Sequence, residues 1–339
     1  MGLAAAVAQC AQQLASGESR RAVRRTGSNH YDRSVLATTL GGSDLQVSRV
    51  GLGCNNFGRR LDLAATRAVV DAALGAGISF FDTADIYGSG DSERFLGAAL
   101  AGRRDQVVLA TKFGMEMPGD SGVPRGSPTY LRGAVEASLE RLGTDAVDLL
   151  YYHRPDGVTP IEETVGAMEE LVAEGKARWL GLSNVGADLV RRGVAAGRVV
   201  AVQNRYSLMH RDDDAEVLPV CRELGLGYVP FFPLESGLLT GKYRRGVPAP
   251  EGTRLAGTDD GRLSDERLRQ VEQLEGLAAA RGHTLLDLAV GGLASIPGIA
   301  SVIAGATSPV QARANASAGA WQLTAAELVE LDASTAPPR

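Results

Sequence analysis

From residue 40 onward, short apolar runs alternate with stretches whose apolar residues recur at helical spacing, and the combined unit repeats about every 30 residues. That alternation constrains the chain more than any other feature. Strands joined through helices in one sheet run parallel, because each helix carries the chain back to the edge it started from, and such crossovers are right-handed. Strand-like runs are read near Val50 and at 79–82, 107–112, 147–153, 178–183, 199–204, 227–232 and 301–305, which makes eight. Helical patterns fall between them at 63–74, 92–101, 128–142, 160–174, 187–196 and 215–224. In "LAATRAVVDAAL" Leu63, Val70 and Leu74 share one stripe. Gly75, Gly143, Gly175 and Gly225 precede the next strands as C-terminal helix caps do. Eight such units favour a closed (β/α)8 TIM barrel, an α/β fold, over an open doubly wound sheet. The latter lacks its phosphate turn: Gly51, Gly53 and Gly58 of "GLGCNNFG" miss the Gly-x-Gly-x-x-Gly spacing.

Ahead of the first barrel strand, "LATTLGGSDLQVS" predicts a β-hairpin turning at Gly41 and Gly42 and closing the bottom of the barrel. Residues 37–339 are thus expected to form one barrel domain. Residues 1–36 differ, being Ala-rich to Leu14 and then clustering Arg20, Arg21, Arg24 and Arg25. Charge that follows the apolar stretch reverses the order of a signal peptide, so a loosely ordered extension without catalytic role is expected.

Composition removes several classes of function. With 44% apolar residues and a net charge of -5, the chain can build a large core but has no basic field for nucleic acid. No apolar stretch reaches the roughly 18 residues of a membrane span. The longest candidate, 285–296, is broken by Asp287, Gly291 and Gly292. Cys10, Cys54 and Cys221 are distant, odd in number and without Cys-x-x-Cys spacing, which points to the cytoplasm and to no metal site.

Barrel catalysis sits at the C-terminal ends of the strands. Asp82 of "FFDTADIYG" ends the second barrel strand and Tyr87 follows in its loop; Lys112 of "VVLATKFG" ends the third and His153 of "VDLLYYHRPD" the fourth. Alone, each has an ordinary reading as a cap, a solvated charge or a packed ring. Together they form a complementary set. A phenol has a free pKa of roughly 10, and a cation about 4 Å away favours its ionisation by up to ~4 kcal/mol at an effective dielectric of about 20, before desolvation opposes it. Lys112 supplies such a field, Asp82 holds Lys112 charged and aimed, and His153 offers a hydrogen bond to a substrate oxygen. A phenol and an imidazole facing one oxygen suit carbonyl reduction. Asp85 is read as a loop or helix-capping group.

These motifs, with "SERFLGAAL", "GLSN", "VQNRYSL", "FFPLESGLLTGKY" and "VIAGATSPVQARAN", resemble the aldo-keto reductases over residues 40–331. The resemblance implies an NADPH-dependent carbonyl reductase acting on a small-molecule aldehyde or ketone, with Asp82, Tyr87, Lys112 and His153 as the catalytic set. It implies nicotinamide contacts from Ser183, Asn184 and Gln203, with Phe231 stacking where relatives often carry Tyr. It assigns the pyrophosphate to backbone donors around Leu234, Gly237 and Leu239 and to Lys242. At the adenosine end the cationic residues common in the family read Gly305 and Gln311, and Ala314 replaces a common acidic one. Thr307, Ser308, Gln311 and Asn315 remain there as an anion cradle at a helix N-terminus, so NADH stays open beside NADPH. Arg59, Arg60, Arg125, Arg205 and Arg211 in the mouth loops suit a polar or anionic substrate. Two other readings stand beside this one. Lys112 as a Schiff-base nucleophile would make an aldolase, although Asp82 raises its pKa against that role. A catalytically weak nicotinamide-binding regulatory protein is the other. Gly291 and Gly292, each costing on the order of 1 kcal/mol in a helix, have no rationale in the sequence.

Overall fold

Apolar runs without alternation, such as "VDLLYY", are what a strand buried on both faces requires, and every residue of Val147–Tyr152 is buried. The computed structural model describes residues 36–117, 122–258 and 260–335. The expected extension, with Cys10 and its arginine cluster, lies outside the described residues except for Leu36. The hairpin pairs β1 (Ala37–Thr39) with β2 (Gln46–Ser48). The barrel strands are β3 (Val50–Gly53), β4 (Phe80–Asp82), β5 (Val108–Phe113), β6 (Val147–Tyr152), β7 (Ala177–Ser183), β8 (Val199–Gln203), β9 (Gly227–Tyr228) and β10 (Val302–Gly305). They form one parallel sheet in the order β10-β3-β4-β5-β6-β7-β8-β9. Closure comes from Tyr228 N–H to Gly298 O (2.9 Å), Ala300 N–H to Tyr228 O (2.8 Å) and Ile303 N–H to Pro230 O (3.0 Å).

Two expectations change. The seventh barrel strand is regular only over Gly227–Tyr228, not 227–232: pairing reaches Phe231 through Val229 N–H to Val202 O (2.8 Å) and Phe231 N–H to Asn204 O (3.0 Å), but Pro230, which has no N–H, interrupts the ladder on the β10 side. Gly143, Gly175 and Gly225 take left-handed φ at helix ends, but Gly75 lies inside the helix Leu63–Gly75 and Gly77 (φ 86°) makes that turn instead. Leu40, Leu45 and Val47 of the hairpin pack in one cluster with Phe80, Ala110, Leu149 and Tyr151, so the hairpin plugs the barrel floor.

The unexplained glycine pair also acquires a reason. Residues 288–292 form a π-helical turn. A Cβ on Gly291 would lie 2.4 Å from Ala318 O and 2.7 Å from Trp321 O, so only glycine lets this segment approach that turn. Gly292 is less confined, its nearest obstacle being the Leu288 side chain at 3.0 Å.

Candidate active site

Strand register brings the site together. In a parallel pair, partnered residues share a face, and every second residue returns to it. Asp82 pairs with Ala110, Ala110 with Leu149, Lys112 with Tyr151, Tyr151 with Gly181, Gly181 with Ala201 and Ser183 with Gln203. Asp82, Lys112, Tyr151, Ser183 and Gln203 therefore all project inward. Gly181 makes the room: a Cβ there would meet the Tyr151 ring at 2.4 Å.

Lys112 is fully buried, and its Nζ donates to Asp82 Oδ2 (2.6 Å) and to Thr83 O (2.8 Å). Gln203 Nε2 donates to the other carboxylate oxygen, Asp82 Oδ1, at 3.0 Å. Above the pair, Lys112 Nζ lies 5.1 Å from the Tyr87 ring centroid and engages the phenol by charge and hydrogen bonding. The Tyr87 and His153 rings meet edge-on at 5.9 Å. The structure thus gathers all four residues from three adjacent strands and one loop.

The electrostatics correct one expectation. Burial raises the Tyr87 phenol above its ordinary value, outweighing the opposing pull of the Lys112 ammonium, with the Asp82 charge adding to the rise. Desolvation by the surrounding wall exceeds the field of one cation already neutralised by Asp82. The phenol is therefore held protonated at neutral pH. Burial alone would lower the Lys112 ammonium, but Asp82 and Tyr87 outweigh it and hold that group above the ordinary lysine value. His153 is pushed down to about 3 by burial, with Lys112 and Arg154 adding to it, so its ring is neutral. Its Nδ1 is enclosed without a hydrogen-bond partner. A proton on Nε2 avoids stranding a buried N–H there. Asp85, also buried, accepts from the Ile86 N–H in the loop; the cap position of the following helix, Asp91–Leu100, belongs to Gly90.

The residues expected to hold a dinucleotide stand at or after the C-terminal ends of β7, β8, β9 and β10, and several of their donors are already committed within the protein. Asn184, at φ 56°, donates from Nδ2 to His153 O (2.8 Å) and to Ser183 Oγ (3.0 Å). With Gln203 Nε2 on Asp82, the amide nitrogens of Asn184 and Gln203 are both committed within the protein. The N–H groups of Gly237 and Leu239 both bond Leu234 O, at 2.8 and 3.2 Å. These backbone groups close the turn rather than point out as free donors. Lys242 Nζ folds over this turn, where a Cβ on Gly237 would come within 2.8 Å of it. Phe231 is partly exposed beside Phe232, ring to ring at 5.3 Å.

The helix Pro309–Ala318 is capped by Ser308, whose Oγ accepts from Gln311 N–H (3.3 Å). Gln311 Oε1 in turn takes the Thr307 N–H and hydroxyl (2.8 and 2.9 Å), and Asn315 Nδ2 bonds Gly305 O (3.3 Å). The expected cradle thus spends donors on its own cap.

Positive charge comes from elsewhere. Arg254 is half-buried, and its guanidinium is pushed down by burial and by neighbouring Arg60, Arg59 and Arg262. It bonds Asn56 Oδ1 (3.0 Å), while Asn56 Nδ2 bonds Ala306 O (3.2 Å), which ties the group to the end of β10. Sequence spacing carries no signal for this convergence. Of the mouth arginines, Arg211 is spent on Asp214, Asp332 and Thr335, and Arg205 is bound to Glu235. A cavity of about 520 Å³ beside the site is lined by Arg154, Asn184, Asn204, His210 and Asp213 among others.

A profile of the Aldo/keto reductase family matches residues 49–336. The chain belongs to this family. It is 37% identical over 263 residues to "Probable aldo-keto reductase 1" of Glycine max, covering 76% of each chain. Among solved structures it resembles the aldo-keto reductase AKR11C1 from Bacillus halodurans in its holo form, with a TM-score of 0.74, 33% identity and coverage of 88% of this chain and 95% of that one. It also resembles the glycerol dehydrogenase AKR11B4 from Gluconobacter oxydans, with a TM-score of 0.78, 27% identity and coverage of 88% and 94%. The fold of this aldo-keto reductase is the (β/α)8 barrel, and the family is one of oxidoreductases that use nicotinamide cofactors. Among the described residues no helix is long and apolar enough to cross a membrane.

Proposed function

We propose that the chain reduces a polar aldehyde or ketone to the alcohol with NADPH, Tyr87 serving as the general acid. The observation that carries this is the fully buried Lys112–Asp82 pair beneath a protonated Tyr87 phenol, with neutral His153 at its edge.

When bound, the cofactor supplies the hydride. The protein's part is the proton and the oxygen. Tyr87 O–H and His153 Nε2–H converge on the carbonyl oxygen; the phenol gives its proton as negative charge builds there, and Lys112 stabilises the phenolate left behind. Asp82 keeps Lys112 aimed and charged, and Gln203 fixes Asp82 from the other side. The donor set fits a dinucleotide. Amide oxygens of Asn184 and Gln203 suit a carboxamide, Phe231 offers a ring face, and Lys242 and the Arg254 group suit phosphates. The convergence of Arg59, Arg60, Arg254 and Arg262, with Asp260 paired to Arg262, favours the more anionic NADPH over NADH. Support for a polar substrate comes from the Arg154- and His210-lined cavity and from the likeness to a glycerol dehydrogenase.

A Schiff-base role for Lys112 finds no support in an ammonium held above its ordinary value. The test is loss of reduced-nicotinamide absorbance with NADPH or NADH against aldehydes, keto sugars and pyridoxal. Tyr87→Phe is expected to lower turnover by at least about a hundredfold, the low end for acid catalysis, while cofactor titration still saturates. A smaller loss removes Tyr87 as the acid.

A further inference from the structure

The turn that carries Lys242 is held in an unfavourable backbone conformation by one buried carboxylate. Glu235, Ser236 and Gly237 take left-handed φ in succession (46°, 60° and 93°), and Phe232 does so just before them (58°). Glycine tolerates this region, whereas glutamate, serine and phenylalanine do not adopt it without compensation from the surroundings. Glu235 supplies it. Its side chain turns inward and is 5% exposed. Oε1 accepts from Ser207 Oγ at 2.9 Å, and Oε2 accepts from Arg205 Nη2 at 2.8 Å and Arg267 Nη2 at 3.2 Å. These partners come from two other elements: the segment after β8, and the helix Asp265–Ala279. The turn is thereby fastened on one side to the barrel rim and on the other to the outer helix layer. Nothing in the catalytic group needs this carboxylate, since its three partners all lie outside that group.

We infer that Glu235 is a positioning residue that sets how long the dinucleotide stays bound, an inference that rests on the reading of residues 234–242 as the pyrophosphate cover. The position of Lys242 follows from the turn, because its ammonium lies against Gly237 where a Cβ would be 2.8 Å away. Ser236 Oγ also accepts from Arg262 Nη1 at 3.4 Å, which links the turn to the arginine group near β10. Release of Glu235 lets the left-handed residues relax and moves Lys242 and Ser236 together. A charge-assisted clamp with two guanidinium donors resists that relaxation more than a neutral one does.

The experiment is stopped-flow displacement of NADPH from the full chain, read by nucleotide fluorescence, beside single-turnover reduction at saturating cofactor. Glu235→Ala is expected to speed NADPH release at least tenfold and to raise the KM for NADPH in step, while the single-turnover rate changes less than threefold. Glu235→Gln keeps an acceptor for Ser207 but loses the charge, so its release rate should fall between those of Glu235→Ala and the parent chain. A general loss of structure would lower the single-turnover rate as much as the affinity, and that result overturns the inference. So does a release rate within twofold of the parent in folded Glu235→Ala. Should Glu235→Ala fail to fold, the Ser207→Ala and Arg267→Met pair removes two of the three partners, and unchanged release there is equally decisive. Absence of saturable NADPH binding by the parent chain, in contrast, rejects the cofactor reading itself.

Discussion

Removing either charge of the Lys112–Asp82 pair should cost more than removing both. The two side chains are 0% and 3% exposed and 2.6 Å apart. At that separation and an effective dielectric of about 20 the gross attraction is roughly 6 kcal/mol. Desolvation of both ions opposes it. Loss of one partner strands the other, at a typical cost of about 3–5 kcal/mol. Lys112→Met leaves Asp82 with the Gln203 amide alone; Asp82→Asn leaves the buried Lys112 ammonium with neutral acceptors only and no counter-charge. For a chain of this size each kcal/mol moves Tm by roughly 1.5 °C, so each single variant should melt about 4–8 °C lower. The double variant should lose less than either single variant, which requires a coupling of at least about 3 kcal/mol in the double-mutant cycle. Catalysis should not recover with it, because the phenolate loses its cation in either background that lacks Lys112. The assay is calorimetry or denaturant unfolding of the four proteins, with turnover measured on each. Additive losses, or single variants within 1 kcal/mol of the parent, would refute the claim that the two charges hold each other in place.

Two further outcomes follow from the geometry. His153 has a folded pKa of about 3 against 6.5 in the unfolded chain, so its contribution to stability is complete above pH 6.5 and drains away as pH falls toward 3. Between pH 7 and 4.5 the parent should lose about 2 kcal/mol more than His153→Gln in urea unfolding; equal losses would show the imidazole to be solvated. Gly291→Ala places a methyl 2.4 Å from Ala318 O, and the forced backbone shift should cost about 1–3 kcal/mol, read as a lower urea midpoint without loss of the catalytic geometry. A neutral result would mean that the π-helical turn yields at no cost.

Much of the barrel was legible because a strand–helix repeat leaves a periodic trace in one dimension. The eight apolar runs fall on the eight barrel strands, and Asp82, Lys112 and His153 stand at strand ends where inward and outward positions alternate. Phe231 and Pro230 show where that trace fades. An apolar run reaching Phe232 reads as one strand, but the missing N–H of Pro230 leaves only Gly227–Tyr228 as regular strand, with single bridges at Phe231 beyond it.

What spacing could not convey is which polar group each side chain meets. Gln203 reaches Asp82 across 121 residues, Arg254 reaches Asn56 across 198, and the Glu235 carboxylate gathers donors 30, 28 and 32 residues away. The direction of the Tyr87 shift likewise depends on enclosure, a property of the walls contributed by other strands rather than of the motif itself. By itself the sequence determined the repeat, the strand ends and the chemical types placed there, since these follow from local periodicity. Only the tertiary structure decided which phenol is dry, which amide nitrogens are spent and where four arginines converge, because desolvation and hydrogen bonding act through space between segments distant along the chain.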